Sequence, residues 1–66
     1  MKFETRLDQA RRRVRDGAYR VKRQHDLINE MIRAGRDVTS ATALLEIMVE
    51  TLQFMRTDLA QLECKA

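Results

Sequence analysis

The fold of this 66-residue chain is decided at a single break, Ala34-Gly35-Arg36-Asp37-Val38-Thr39-Ser40. Gly35 suits the left-handed position just after a helix end, because glycine has no Cβ to clash there. Asp37 is a good N-cap for a following helix, since its carboxylate can accept free backbone N–H groups; Thr39 and Ser40 are alternatives. The chain contains no proline. The break therefore predicts a turn between two helices.

We predict helix 1 over about residues 3–34, the turn at 35–37 and helix 2 over about residues 38–64. Both segments repeat apolar residues every seven positions, which is typical of a left-handed coiled coil. A connection this short joins antiparallel neighbours. The expected fold class is all-α, with one domain over residues 1–66 that forms an antiparallel two-helix hairpin. The expected seam is Phe3, Leu7, Ala10, Val14, Gly17, Val21, Gln24, Ile28 and Met31 in helix 1, and Ala41, Leu45, Met48, Leu52, Met55, Leu59 and Leu62 in helix 2.

The register of the hairpin follows from the rule that facing residue numbers in an antiparallel pair add to a constant. The predicted pairs are Val14 with Leu62, Val21 with Met55, Ile28 with Met48, Gly17 with Leu59, and Ala10 with Ala66. Gly17 has two interpretations, a small residue that lets the helices approach closely or a flexible point. Gln24 also has two, a polar group that fixes the register or a side chain that reaches water.

Two groups of apolar residues are not used by this seam. In the predicted register, Phe3 and Leu7 overhang the hairpin without partners. Helix 2 carries a second stripe at helical spacing, Leu44, Ile47, Thr51 and Phe54. Apolar surface of this kind marks an interaction site, and its burial contributes roughly 1.5–3 kcal/mol for each large side chain. We expect two hairpins to form a dimeric four-helix bundle.

The charges are divided unevenly along the chain. Residues 1–36 carry eleven Lys or Arg and five Asp or Glu, whereas residues 37–66 carry two and five. Helix 1 either presents an anion-binding surface or carries solvated cations that pair with helix 2, Arg13 with Glu63 above all. The candidate anion-binding residues are Arg11, Arg12, Arg13, Arg15, Arg20, Lys22 and Arg23.

Catalytic chemistry finds little support in the composition. The chain has one histidine, one cysteine and no glycine-rich phosphate loop, so we expect no enzyme activity, metal or cofactor. His25 is either a pH-sensitive interface residue or a boundary residue covering the seam. Cys64 is an exposed thiol, either without a role or able to form an adventitious disulfide across a dimer. No apolar run is long enough for a membrane span, and we expect a cytoplasmic protein.

The stretch Val21-Lys22-Arg23-Gln24-His25-Asp26-Leu27-Ile28, the turn Gly35-Arg36-Asp37 and the following Ala41-Thr42-Ala43-Leu44-Leu45 resemble a known pattern. It is that of short uncharacterised bacterial helical-hairpin proteins, V-x-R-Q-x-x-L-I, G-x-D-T and A-x-x-L-L. The chain departs from it at Val38 and Ser40. The resemblance implies a helical hairpin in a bacterial protein and no particular activity. In architecture only, the chain also resembles the small plasmid RNA-binding hairpin protein Rop.

Three functions follow as hypotheses. The first is a protein–protein interaction module that acts as a homodimer or captures another protein. The second is an RNA- or DNA-binding protein that uses the basic face of helix 1. The third and weakest is association with an anionic membrane surface through helix 1, which the need of the seam for a partner helix disfavours.

Overall fold

The chain folds into two helices, α1 over Arg6–Arg33 and α2 over Thr39–Lys65. The structure is a computed structural model that describes residues 3–65. The helices pack along their length and no strand is present in this range, so the predicted all-α helical hairpin is confirmed. Compared with the prediction, α1 begins three residues later and ends one residue earlier. α2 begins one residue later, so the turn is longer than predicted.

The start of α1 is set by a capping box. The Thr5 hydroxyl accepts a hydrogen bond from the Asp8 backbone N–H at 3.1 Å, and the Asp8 carboxylate accepts one from the Thr5 N–H at 3.3 Å. Reciprocal bonds of this kind satisfy backbone groups that have no helical partner. The helix therefore begins at Arg6 and not near Phe3 as predicted, because Thr5 adopts an extended backbone to cap it.

The turn stops α1 through a glycine in the left-handed conformation. Gly35 has a φ of 70°, its N–H donates to the Ile32 carbonyl at 3.0 Å, and the Arg36 N–H donates to the Met31 carbonyl at 2.9 Å. These two bonds define a Schellman motif, which satisfies carbonyls left open at a helix end. The expected role of Gly35 is thus observed.

The start of α2 depends on Asp37. Its Oδ1 atom accepts bonds from the Thr39 backbone N–H at 3.0 Å and from the Thr39 hydroxyl at 2.7 Å. The hydroxyl bond and then the backbone bond lower the pKa of Asp37 below its ordinary value. Asp37 therefore accepts the first N–H of α2, as a capping side chain does, but it lies one residue before the N-cap position, which Val38 occupies.

The predicted seam is the buried side of both helices. Every seam residue from Leu7 to Leu62 is buried or half-buried, and the most buried are Ala10, Ile28 and Leu52, at 5%, 8% and 6% exposure. Gln24, a polar member of the seam, is part-buried and donates from Nε2 to the Ala41 carbonyl at 3.0 Å. This bond joins the two helices, which favours the register interpretation of Gln24 over the solvent one.

The predicted register is wrong by about one heptad. A Cβ at Gly17 would lie 3.1 Å from Leu52 Cδ1 and 3.4 Å from Met55 Sδ, so Gly17 faces Leu52 and not Leu59. A seven-residue repeat fits two registers that differ by seven residues equally well, and only the path of the turn chooses between them. The close approach at Gly17 agrees with the close-packing interpretation. The predicted partner of Ala10, Ala66, lies outside the described residues.

The observed register, shifted by about seven residues, also reduces the predicted overhang. It brings Leu62 to the level of Leu7, and both side chains are half-buried. Leu7 is therefore part of the seam, whereas Phe3 lies before the helix and is 92% exposed. Of the two residues expected to overhang, the structure leaves Phe3 exposed.

The hairpin is a slab one helix thick. Its principal dimensions are 48 × 25 × 12 Å, and no side chain among residues 3–65 is fully buried. Stable domains ordinarily bury a core between two packed layers. A single layer leaves both broad sides of the seam open to solvent.

Candidate interaction surfaces

One broad side of the hairpin, here called the front face, carries the second apolar stripe of α2. Leu44, Ile47 and Phe54 are 49%, 60% and 78% exposed, and Thr51 is also exposed. The Thr51 hydroxyl donates to the Ile47 carbonyl at 2.9 Å, so its polar group is satisfied within the helix and its methyl group is free to pack. The predicted partner-face residues of α2 thus form one continuous exposed row.

Leu27 extends this row onto α1. It is 46% exposed and borders a groove together with Arg20 of α1 and Met48 of α2. Leu27 is not among the predicted interface residues, because a leucine next to the seam residue Ile28 looks like a widening of the core. The heptad frame places Leu27 beside the seam on the same side as Leu44, but it does not show which residue of α2 lies across the groove.

The floor of the front face is a shallow depression between the helices. Its lining includes Gly17, Met48, Leu52 and Met55, with Ile47 at the rim, and its volume is about 120 Å³. Gly17 borders the depression without a side chain, with Leu52 and Met55 packed close to its backbone. Flexible methionine side chains can adapt to an apolar group placed there.

The opposite broad side, here called the back face, is less apolar. Val49 is 36% exposed and lines a groove of about 440 Å³ with Ala18, His25 and Arg56. Ile32 follows His25 by one heptad and is 58% exposed. This face presents fewer large exposed apolar side chains than the front face, which carries Leu27, Leu44, Ile47 and Phe54.

His25 lies on the surface of the back face. Its Nδ1 atom is 3.5 Å from Asn29 Nδ2, one turn further along α1. His25 borders the groove beside the seam and is itself exposed. This position matches the boundary interpretation, in which the ring partly covers seam residues.

The cations of α1 form few ion pairs. Arg12 Nη1 bonds Glu4 Oε2 at 3.0 Å, and Arg15 Nε lies 3.9 Å from Asp16 Oδ1. These side chains are largely exposed, where such pairs are worth about 0–1 kcal/mol. Within residues 3–65, four of the candidate anion-binding residues have no acidic partner within 4 Å: Arg13, Arg20, Lys22 and Arg23.

The predicted pair between Arg13 and Glu63 is wrong. Glu63 Oε2 instead lies 3.9 Å from Arg11 Nη2. In an antiparallel hairpin, heptad positions on the back side of one helix adjoin those on the back side of the other, which places Glu63 with Arg11. Arg13 projects from the front side, where it borders a small cleft with Phe54 and Asp58.

Tyr19 lies on the outer edge of α1, the narrow side of the slab that faces away from α2. It is 62% exposed and shares an open groove of about 490 Å³ with Arg20 and Arg23. Asp26 and Glu30 line the far end of that groove. Tyr19 is not among the predicted site residues, although it lies on the helix surface opposite the seam with arginines before and after it.

The described part of the chain contains neither a cluster of metal ligands nor a helix that could span a membrane. Residues 3–65 contain no group of three His, Cys, Asp or Glu side chains able to hold a metal ion, and Cys64 is an exposed free thiol. Neither α1 nor α2 is long and apolar enough to cross a membrane.

Comparison with known proteins adds no further assignment. No family model, no curated protein and no solved structure matches this chain.

Proposed function

We propose that this protein is a non-catalytic helical interaction module that pairs with a second copy of itself through the front face. The proposal depends on one observation, namely that the hairpin is a single layer without a fully buried side chain among residues 3–65. Half-exposed seam residues such as Met48 and Met55 would become a core only beneath a second layer. The product is a four-helix bundle.

A second copy is the occupant that suits the front face best. The broad side measures 48 × 25 Å, which is large enough for the roughly 800 Å² per partner that a stable interface buries. Two-fold symmetry places the same apolar row on both sides of the interface. Each copy would then cover the Ile47 and Phe54 side chains of the other.

Charge complementarity favours one arrangement of the helices. α1 carries nine basic and four acidic residues, whereas α2 carries two basic and four acidic residues. A two-fold axis parallel to the helices sets α1 of each copy over α2 of the other. In the observed register, this brings Arg13 to the level of Asp58 of the partner subunit and Leu27 to the level of Leu44 of the partner subunit.

The cellular setting that fits this proposal is the cytoplasm. Cys64 is exposed near the end of α2 and has no partner thiol in the chain. A reducing compartment keeps such a thiol from linking copies covalently.

The test uses a matched pair of isoleucines on opposite broad sides. Ile47 on the front face and Ile32 on the back face are 60% and 58% exposed, so the two alanine variants lose the same atoms at equal exposure. Sedimentation equilibrium across protein concentrations should show a dimer for the wild type. Ile47→Ala and Phe54→Ala should each raise the dimer dissociation constant at least tenfold, and Ile32→Ala should change it less than threefold.

Three results would overturn the proposal. The wild type could remain a monomer at all concentrations, which would leave the front face for a different protein. Ile32→Ala could weaken the dimer more than Ile47→Ala, which would assign the interface to the back face. Both front-face variants could leave the dimer intact while circular dichroism shows unchanged helix content.

A further inference from the structure

Tyr19 is a large aromatic side chain that neither the seam nor the proposed dimer interface uses. It is 62% exposed on the outer edge of α1, one heptad after Arg12 and one before Asp26. Burying it would stabilise the fold, yet its position turns it away from α2. An exposed aromatic ring at this place is available to a ligand.

Cations surround the ring on the helix surface. Arg15 precedes Tyr19 by four residues, and Lys22 and Arg23 follow it by three and four residues, spacings that put side chains about 5–6 Å apart at Cβ. Arg20 and Arg23 line the same groove as Tyr19. Three carboxylates adjoin this cluster: Asp16, which is 3.9 Å from Arg15, and Asp26 and Glu30, which line the groove with Arg20 and Arg23.

We propose that this cluster, namely Tyr19 with Arg20, Lys22 and Arg23, binds single-stranded nucleic acid. The three cations have no acidic partner within 4 Å in the described part of the chain, so they are free to contact phosphates. The Tyr19 ring offers a platform on which one base can stack. Stacking aromatics beside a basic groove are how proteins hold single strands without reading their sequence.

The geometry favours a single strand over a duplex. A duplex keeps the faces of its bases stacked inside, whereas a single strand can place a base on an exposed ring. Asp26 and Glu30 carry negative charge at the far end of the groove, so we expect the strand to lie over the end that holds Tyr19, Arg20 and Arg23. The site is therefore short and holds a few nucleotides.

An anionic membrane surface is a poorer ligand for this edge. Helices that lie in a membrane interface bury an apolar stripe among the acyl chains. The positions one heptad from Tyr19 on the outer edge are Arg12 and Asp26, and the next is Arg33. No apolar stripe accompanies the ring, so the edge offers cations and one aromatic platform.

The site adjoins the proposed dimer interface, because Arg20 lines both the groove beside Tyr19 and the front-face depression. The outer edge of α1 is a narrow side of the slab, and pairing through the front face leaves the Tyr19 ring open. A dimer would carry two such sites. A failure of nucleic-acid binding would leave the dimer proposal unaffected, because sedimentation tests the dimer separately. Tyr19→Ala should keep the wild-type mass in that measurement.

The experiment measures fluorescence anisotropy of a labelled twelve-nucleotide RNA of mixed sequence, as a single strand and as a duplex. The full chain should bind the single strand at least fivefold more tightly than the duplex. The logarithm of its affinity should fall with the logarithm of salt concentration with a slope of about −2, because each of three phosphate contacts contributes roughly 0.7.

The variants separate stacking from charge. Tyr19→Ala should weaken single-strand binding roughly 5- to 100-fold, the range expected for the loss of one stacked base, while Tyr19→Phe should retain most of the affinity. Arg23→Gln should weaken binding and reduce the salt slope by about 0.7. Arg33→Gln, which removes an equal charge from the same edge about 15 Å away, should change the affinity less than twofold.

The proposal fails if the full chain does not bind the single strand at low salt. It also fails if Tyr19→Ala binds as tightly as the wild type, which would show a polyanion effect without stacking. Equal losses for Arg23→Gln and Arg33→Gln would likewise overturn the site. Binding to anionic vesicles that exceeds RNA binding, and that survives Tyr19→Ala, would assign the cations to a membrane surface.

Discussion

At the scale of the residue, Gly35 ends α1 and starts the turn through its backbone conformation alone. Its φ of 70° is one that L side chains rarely adopt, and a Cβ placed on it would meet nothing within 4 Å. A substitution of Gly35 therefore changes stability through backbone strain and not through a steric clash. We expect Gly35→Ala to lower the free energy of unfolding by about 1–2 kcal/mol.

A second substitution at the same position tests that reason. Asparagine tolerates the left-handed region better than alanine, so Gly35→Asn should recover part of the lost stability. Urea unfolding of the three proteins at one protein concentration measures both effects. A Gly35→Ala variant as stable as the wild type would contradict the Schellman geometry of the turn.

At the scale of the element, the register of α1 against α2 can be measured by coupling Gly17 to its neighbour. Gly17→Ala raises helix propensity by about 1 kcal/mol but sets a methyl group 3.1 Å from Leu52 Cδ1. Leu52→Val removes that atom. We expect the gain from Gly17→Ala to be larger in the Leu52→Val background than in the wild type, with a coupling energy of about 0.5–1 kcal/mol.

The matched control for this double-mutant cycle of Gly17→Ala and Leu52→Val replaces Leu52→Val with Leu59→Val. Leu59 is the residue that heptad arithmetic alone would place opposite Gly17, and in the observed register it lies about one heptad, roughly 10 Å, further along the seam. Residues that far apart are expected to contribute additively. Urea unfolding of both cycles decides between the registers, and coupling with Leu59 in place of Leu52 would refute the observed one.

At the scale of the whole molecule, the charges predict how two hairpins pair. If α1 of each copy lies over α2 of the other, Arg13 is level with Asp58 of the partner subunit. An Arg13→Asp protein mixed with an Asp58→Arg protein then forms a heterodimer with two opposite-charge pairs. Each homodimer would have two like-charge pairs instead. We expect the heterodimer to exceed the statistical share severalfold at low salt and to lose this excess at high salt.

Native mass spectrometry of the mixture, with one variant carrying a mass label, measures the three dimers. Positions 13 and 58 carry like charges within each variant chain. An excess of the heterodimer therefore cannot come from a pair formed inside one hairpin. A statistical distribution of the dimers at low salt would show that α1 lies over α1, or that another face forms the interface. This prediction depends on the proposed dimer and is tested after it.

The candidate surfaces divide into features that a sequence reveals and features that it does not. Leu44, Ile47 and Phe54 were predicted because helical spacing alone places them on one face, away from the seam. Leu27 and Tyr19 were missed, because a single apolar or aromatic residue has no period of its own. Their significance depends on neighbours that packing or helix geometry supplies, Met48 across the groove for Leu27 and Arg23 one turn away for Tyr19.

The sequence by itself determined the two helices, the turn between them and the side of each helix that is buried. These features are local, since Gly35, Asp37 and the seven-residue repeat act within a few residues of themselves. Only the tertiary structure decided which residues face each other across the seam. A heptad repeat is unchanged by a shift of seven residues, so both registers bury the same positions except at the end of the hairpin, where Leu7 gains a partner. The path of the chain through the turn broke that equivalence, setting Gly17 against Leu52 and Glu63 beside Arg11.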